Sequence, residues 1–145
     1  MDFLTGMRVS ASGMTAQRMR MNTISSNIAN VNTTRTPEGG PYRRKDIILN
    51  AMPQQRNFGE ILAGKVDNDI DRVQVTDIVP DRKGPLMKYE PNHPDANAEG
   101  YVAYPDINIM QEMVDMLQAS RSYEANVSAM NTSKNMALSA IEIGR

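Results

Sequence analysis

Apolar residues recur at helical spacing from Phe3 to Val31: Leu4, Met7, Ala11, Met14, Met21, Ile24, Ile28 and Val31. Met7, Met14, Met21 and Ile28 lie one heptad apart, and Ile24 and Val31 fill the intervening step in the second half. This pattern predicts an amphipathic helix of roughly 29 residues, about 43 Å long if unbroken. Gly13 sits inside it, weakens it by about 1 kcal/mol relative to alanine, and is the expected place for a bend. The helix is expected to stop within Ser25–Thr34, because Asn, Ser and Thr side chains offer the backbone local hydrogen bonds that compete with helix. Asn30 or Asn32 is the candidate for a left-handed cap. Pro37, Gly39, Gly40 and Pro41 then enforce a loop.

A second and longer pattern runs from Ile109 to Ile143 without Gly or Pro. Asn108 is the candidate N-cap, with Gln111 three residues on as the second half of a capping box. Met113, Met116, Tyr123, Val127, Met130, Ala137 and Ile141 step by threes and fours, with polar Ser120 and Lys134 at two steps of the same stripe. A strict heptad drifts about 20° per repeat on a straight helix, which favours a left-handed supercoil against a partner. Gly144 is the expected terminator. Roughly 35 residues span about 52 Å, whereas a compact domain of this size is about 30 Å across. The first helix, parallel or antiparallel, covers one side only. Leftover apolar surface of this kind marks an interaction site, and a self-contained helical hairpin is the competing reading.

Between the helices the period changes. Short strands are expected at Asp46–Leu49, Arg72–Val79, Pro85–Glu90 and Gly100–Tyr104, with Val73, Val75 and Val79 alternating in the clearest of them. The polar stretch Pro91–Gly100 reads as a mobile insertion. The fold class is therefore α+β: two long terminal helices forming a coiled-coil-like pair, with a small, loop-rich antiparallel β segment between them. The divisions are an N-terminal helix with its Asn-rich end (1–34), a central loop and β segment (35–105), and the long C-terminal helix (106–145).

Composition narrows the chemistry. The 145 residues carry a formal net charge of -1, with no cysteine, 12 methionines, one histidine and 5% aromatics. Without cysteine there is no disulfide, thiolate metal site or cysteine nucleophile. A core poor in rings and rich in flexible thioethers suits helix packing on adaptable surfaces. The N-terminus lacks a basic region followed by an apolar run, so no cleaved signal peptide is expected, and no segment approaches the length of a membrane span. His93 has no nucleophile elbow to serve and reads as an exposed loop residue. Asp67, Asp69 and Asp71 alternate like calcium ligands, but Arg72 and Ile78 stand where such a loop needs glycine and glutamate, so a solvated acidic turn is expected. Tyr42-Arg43-Arg44-Lys45 is the one basic cluster. With no second basic stripe it argues against nucleic-acid binding and for a contact with acidic surface, one source being residues 58–100, where nine Asp/Glu outnumber five Lys/Arg.

The run Asn22-Thr23-Ile24-Ser25-Ser26-Asn27-Ile28-Ala29-Asn30-Val31-Asn32-Thr33 closely resembles the Asn-rich motif that ends the N-terminal helix of bacterial flagellar rod and hook proteins. The continuation from Thr33 to Lys45 departs from that of the hook and distal-rod members and looks like the proximal-rod version. Glu112-Met113-Val114-Asp115-Met116 and Ala119-Ser120-Arg121-Ser122-Tyr123-Glu124-Ala125-Asn126 are similar to the family's terminal helix. The resemblance implies a non-enzymatic structural subunit of the basal-body rod without cofactor or metal. It also implies export by the flagellar type III apparatus, assembly in the periplasm, and polymerisation through the terminal helices into a hollow shaft that transmits torque and conducts exported subunits. Implied partners are copies of itself, other proximal and distal rod proteins, and the export-gate junction protein at the rod base, with no nucleic acid and no membrane insertion. Within this reading the subunit-packing set is Met7, Met14, Met21, Ile24, Ile28, Met113, Met116, Tyr123, Val127, Met130 and Ile141. Asn27, Asn30 and Asn32 cap the first helix or bridge to a neighbouring backbone. Two alternatives remain open at this point: a coiled-coil adaptor or chaperone-like protein that binds without polymerising, and a cell-wall hydrolase, which lacks a well-placed carboxylate pair.

Overall fold

A computed structural model describes residues 3–52 and 71–144. Six elements follow in order: α1 (Phe3–Ala29), β1 (Lys45–Met52), β2 (Arg72–Pro80), β3 (Leu86–Tyr89), β4 (Tyr101–Tyr104) and α2 (Ile109–Ile143). The expected α+β class, with two long helices flanking short antiparallel strands, is what the chain adopts. Among the described residues no helix is long and apolar enough to cross a membrane.

α1 ends where side chains begin to compete for its carbonyls. The Asn30 backbone and the Asn30 Nδ2 both donate to the Ser26 oxygen, at 3.1 and 2.8 Å, and Val31 N then turns in to Ile28 O. The expected left-handed asparagine is absent: among the described residues positive φ occurs only at glycines. The local side-chain bonds end the helix without it. The loop that follows reverses at Gly39 and Gly40, with φ of 90° and 77°, a region side chains with a Cβ rarely enter.

At the start of α2, Asn108 accepts from Met110 N at 3.0 Å and Gln111 N at 3.3 Å, which fills two of the helix's open donors. The reciprocal half of the capping box does not form, because the Gln111 amide donates forward to Asp115 instead. Gly144 caps the far end with an ordinary φ of -81°.

The four strands make two separate antiparallel ribbons, β1 with β2 and β3 with β4. β1–β2 lies on α1, turning Ile47 and the half-buried Leu49, Val73 and Val75 inward, with the Ser12 hydroxyl accepting from Val73 N. The register shifts between Ile48 and Leu49. β3–β4 buries Val102 completely, while Met87, Tyr89 and Tyr101 line its open face. Its connecting loop is built from turns. Asn97 Oδ1 accepts from Glu99 N and Tyr101 N, His93 Nδ1 accepts from Asp95 N, and Thr34 donates to Asp95 at 2.8 Å. Gly100 at φ 80° leaves no room for a Cβ, which would stand 2.9 Å from the Tyr89 ring.

α1 and α2 run antiparallel. Asn27 meets Glu112 and Gly13 meets Asn126, so fourteen residues back along one helix match fourteen forward along the other. The expected bend at Gly13 gives way to a packing role within an unbroken helix. A Cβ there would lie 3.0 Å from the Asn126 amide, so glycine lets the helices approach. Ala16 and Ala119, 2% and 1% exposed, continue this narrow seam. Among the described elements, α2 packs only against α1.

Candidate functional site: the junction and faces of the terminal helices

Where α1 ends and α2 begins, a buried polar cluster joins three segments of chain. Asn27, 1% exposed, grips the backbone of Lys45 from both sides: its Nδ2 donates to Lys45 O at 2.8 Å and its Oδ1 accepts from Lys45 N at 2.9 Å. One amide thus acts as a neighbouring strand would for the first residue of β1. Tyr42 OH adds a bond to Asn27 Oδ1 and stands 3.2 Å from the Ser26 hydroxyl. Asn27 Nδ2 also reaches Glu112 Oε2 at 3.1 Å.

Glu112 is the most deeply buried charged side chain among the described residues, at 1% exposure. Its Oε1 accepts from Arg44 Nε at 2.6 Å, and Arg44 also touches Asp46 at 3.4 Å. Burial, the largest single influence on Arg44, acts to lower its pKa. The bond and attraction to Glu112, with a smaller part from Asp46, outweigh it, so the guanidinium titrates above its ordinary range and stays charged. A carboxylate in the first turn of α2 is further favoured by the open N–H groups there. The basic cluster finds one acidic partner within the chain, and the acidic residues Glu60, Asp67 and Asp69 of 58–100 lie outside the described residues. Arg44 pairs with Glu112 of the terminal helix, outside the acidic stretch 58–100, and Lys45 sits over the Tyr42 ring at 5.7 Å.

The remaining sequence-derived positions divide by burial. Ile24 is buried in the core, and Met7, Met14, Met21, Ile28, Met116, Tyr123, Val127 and Met130 are half-buried. Met113 and Ile141 stand exposed, at 48% and 67%. Asn30 bonds locally, to Ser26 O and the Thr33 hydroxyl, and Asn32 is exposed. Asp67 and Asp69 of the acidic turn lie outside the described residues.

Two features of the junction escaped the sequence reading. The seam of α1 passes through Gly13 and Asn27, on a heptad with Gly6 and Arg20 one position behind the methionine stripe, although nothing stands within 4 Å of where a Cβ at Gly6 would be. Small residues at that spacing were the available signal. The buried pairing of Glu112 with Arg44 had a weaker one, an acid in a helix's first turn and a single basic cluster.

The outer side of α2 is open. Met110, Val114 and Leu117, at 70%, 56% and 62% exposure, form a stripe opposite the α1 seam, and Met136, Leu138, Ile141 and Ile143 are exposed at the distal end. By the antiparallel register, α2 continues past the start of α1 for its last two turns. No group of three His, Asp or Glu side chains among the described residues could hold a metal ion.

Comparison with known proteins agrees in both helices. Residues 7–35 match the family model described as flagella basal body rod protein, and residues 98–143 match the one described as flagellar basal body rod FlgEFG protein C-terminal. The chain is 44% identical to the flagellar basal-body rod protein FlgC of Borreliella burgdorferi, over 99% of this chain and 98% of the relative. It is likewise 44% identical to FlgC of Bacillus subtilis over 96% of both, and 36% identical to FlgC of Escherichia coli O6:H1 over 94% of both.

Proposed function

The chain belongs to the FlgC family of flagellar basal-body rod proteins and is a structural subunit of that rod, and from this premise we propose that it polymerises through the faces of its terminal helices that it leaves uncovered. The observation that carries the proposal is the open outer side and overhanging end of α2, whose apolar residues find no partner among the described elements. Apolar surface of this extent is favourable to bury, at about 25 cal/mol per Å². The half-buried stripe Met7, Met14, Met21, Ile28, Met116, Tyr123, Val127 and Met130, with exposed Met113 and Ile141, is the subunit-packing set, and buried Ile24 closes the pair from within.

In this reading the helices line a hollow periplasmic shaft that transmits torque and conducts exported subunits, and the ribbons face outward. Neighbours are copies of this chain, other proximal and distal rod proteins and the junction protein at the export gate. The chain leaves through the flagellar type III apparatus, and it does no catalysis. Helices that leave much of their apolar surface uncovered suit such a route, because they can remain unfolded in transit and fold fully as partners cover them. Imaging basal bodies from cells lacking the gene tests the structural role: rods are expected to be missing or truncated, and intact rods would refute it.

A further inference from the structure

The seam between α1 and α2 leaves its own register ambiguous. On α1, Gly6, Gly13, Arg20 and Asn27 repeat every seven residues, and on α2 so do Glu112, Ala119, Asn126 and Ser133. Slide α2 by one heptad, about 10 Å along the axis, and Gly6 takes the place of Gly13 opposite Asn126. Gly13 then faces Ala119, and Arg20 faces Glu112. Every close approach still finds a small residue, and Glu112 still finds a guanidinium. The apolar positions keep their faces, because a heptad slip returns each side chain to the same side of its helix. Arg20 is well placed to compete, since it lines the same cavity as Arg44, Lys45 and Asp115, about 170 Å³ in volume, beside the junction.

Besides the buried Pro105 and Ile107 that lead into α2, what differs between the two registers is the buried polar cluster. Only in the observed register does Glu112 meet Arg44 and Asn27 together, while Asn27 holds both backbone groups of Lys45. We propose that the Asn27–Arg44–Glu112 cluster is a register lock, which selects this alignment of the terminal helices over a one-heptad slip in which Glu112 pairs with Arg20. Buried polar groups are poor sources of net stability, and register selection is their best-attested use. Glu112 is a positioning residue in this account. Its effect is read in which residues stand opposite, beyond how much helix forms.

The chain has no cysteine, so introduced pairs report without background. In the purified full-length chain, Val9→Cys with Met130→Cys tests the observed register, and Val9→Cys with Tyr123→Cys tests the slip. A disulfide needs Cα atoms within about 7 Å, so each register permits one pair and not the other. With the lock intact, the first pair is expected to close at least tenfold faster than the second. Adding Asn27→Ala and Arg44→Gln should raise the second pair's rate to match or exceed the first, with helicity by circular dichroism retained. Adding Arg20→Gln as well should abolish that gain. Continued dominance of the first pair without the lock overturns the proposal. So does equal closure of both pairs with the lock intact, loss of helicity on unlocking, or a slip indifferent to Arg20.

Discussion

The two ends of the helical pair solve opposite problems. At the junction, every polar atom of Asn27 and both oxygens of Glu112 are bonded within the chain, at 1% exposure for each residue. At the distal end of α2, Ile141 and Ile143 are 67% and 87% exposed, beyond the start of α1. The first end spends its specificity on the chain itself. The second keeps apolar surface in reserve. A subunit that must be one shape internally and adhesive externally is served by separating the two tasks along one helix, and variants at each end should fail in different ways.

Removing the buried carboxylate should have the largest effect on folding. Glu112→Ala leaves Arg44 and Asn27 without their partner. The loss is expected at about 2–3 kcal/mol, below the range for a fully buried pair because Arg44 keeps part of its side chain in water. Urea unfolding followed by circular dichroism measures it. An effect under about 0.5 kcal/mol would break the contrast between the ends. Next comes the seam: Gly13→Ala gains about 1 kcal/mol of helix propensity but sets a Cβ 3.0 Å from an Asn126 amide that is itself bonded to Ser122 O. Overpacking of this kind costs about 1–3 kcal/mol, so a small net loss is expected. Combining it with Asn126→Ala should turn that loss into a gain in the same measurement.

The β3–β4 ribbon contributes a smaller, pH-dependent effect. Hydrogen bonds from Lys88, then from Tyr104, hold the Glu90 carboxyl below its ordinary value of 4.5. A depressed carboxyl stabilises the fold above that ordinary value, and the contribution disappears as pH falls through the lowered one. Chemical shifts of Tyr89 and Tyr101 should therefore move toward unfolded values on acidification below about 4.5, and Glu90→Gln should flatten that titration. Smallest of all on folding is Ile141→Asp, expected within about 0.5 kcal/mol of the unaltered chain because the site is exposed. In cells it should nonetheless block incorporation into rods, scored by swimming and by basal-body imaging. Unimpaired motility would remove Ile141 from the packing surface.

The sequence exposed the helices and strands well because each has a strong local signal. The uninterrupted run from Ile109 to Ile143, the Asn108 cap and the alternation of Val73 and Val75 were all legible, and the strands formed within a few residues of the expected spans. Orientation was not legible, since heptads are indifferent to direction. The seam on α1 was not legible either, because large apolar side chains mark a stripe more visibly than Gly13 and Ala16, which make contact by being small. Arg44 with Glu112 links residues 68 apart, and no local pattern encodes such a pair. In the loop Pro91–Gly100 the side chains of His93 and Asn97 bond the loop's own backbone, local turns that a polar composition alone does not spell out.

One map bears most directly on the division of labour between the two ends: a cryo-electron microscopy reconstruction of the intact rod at side-chain resolution. The account predicts Asn27, Arg44 and Glu112 bonded within one chain, with Met136, Leu138, Ile141 and Ile143 buried against another. Glu112 or Asn27 bonded across to a neighbouring subunit, or the distal end of α2 facing solvent, would contradict it.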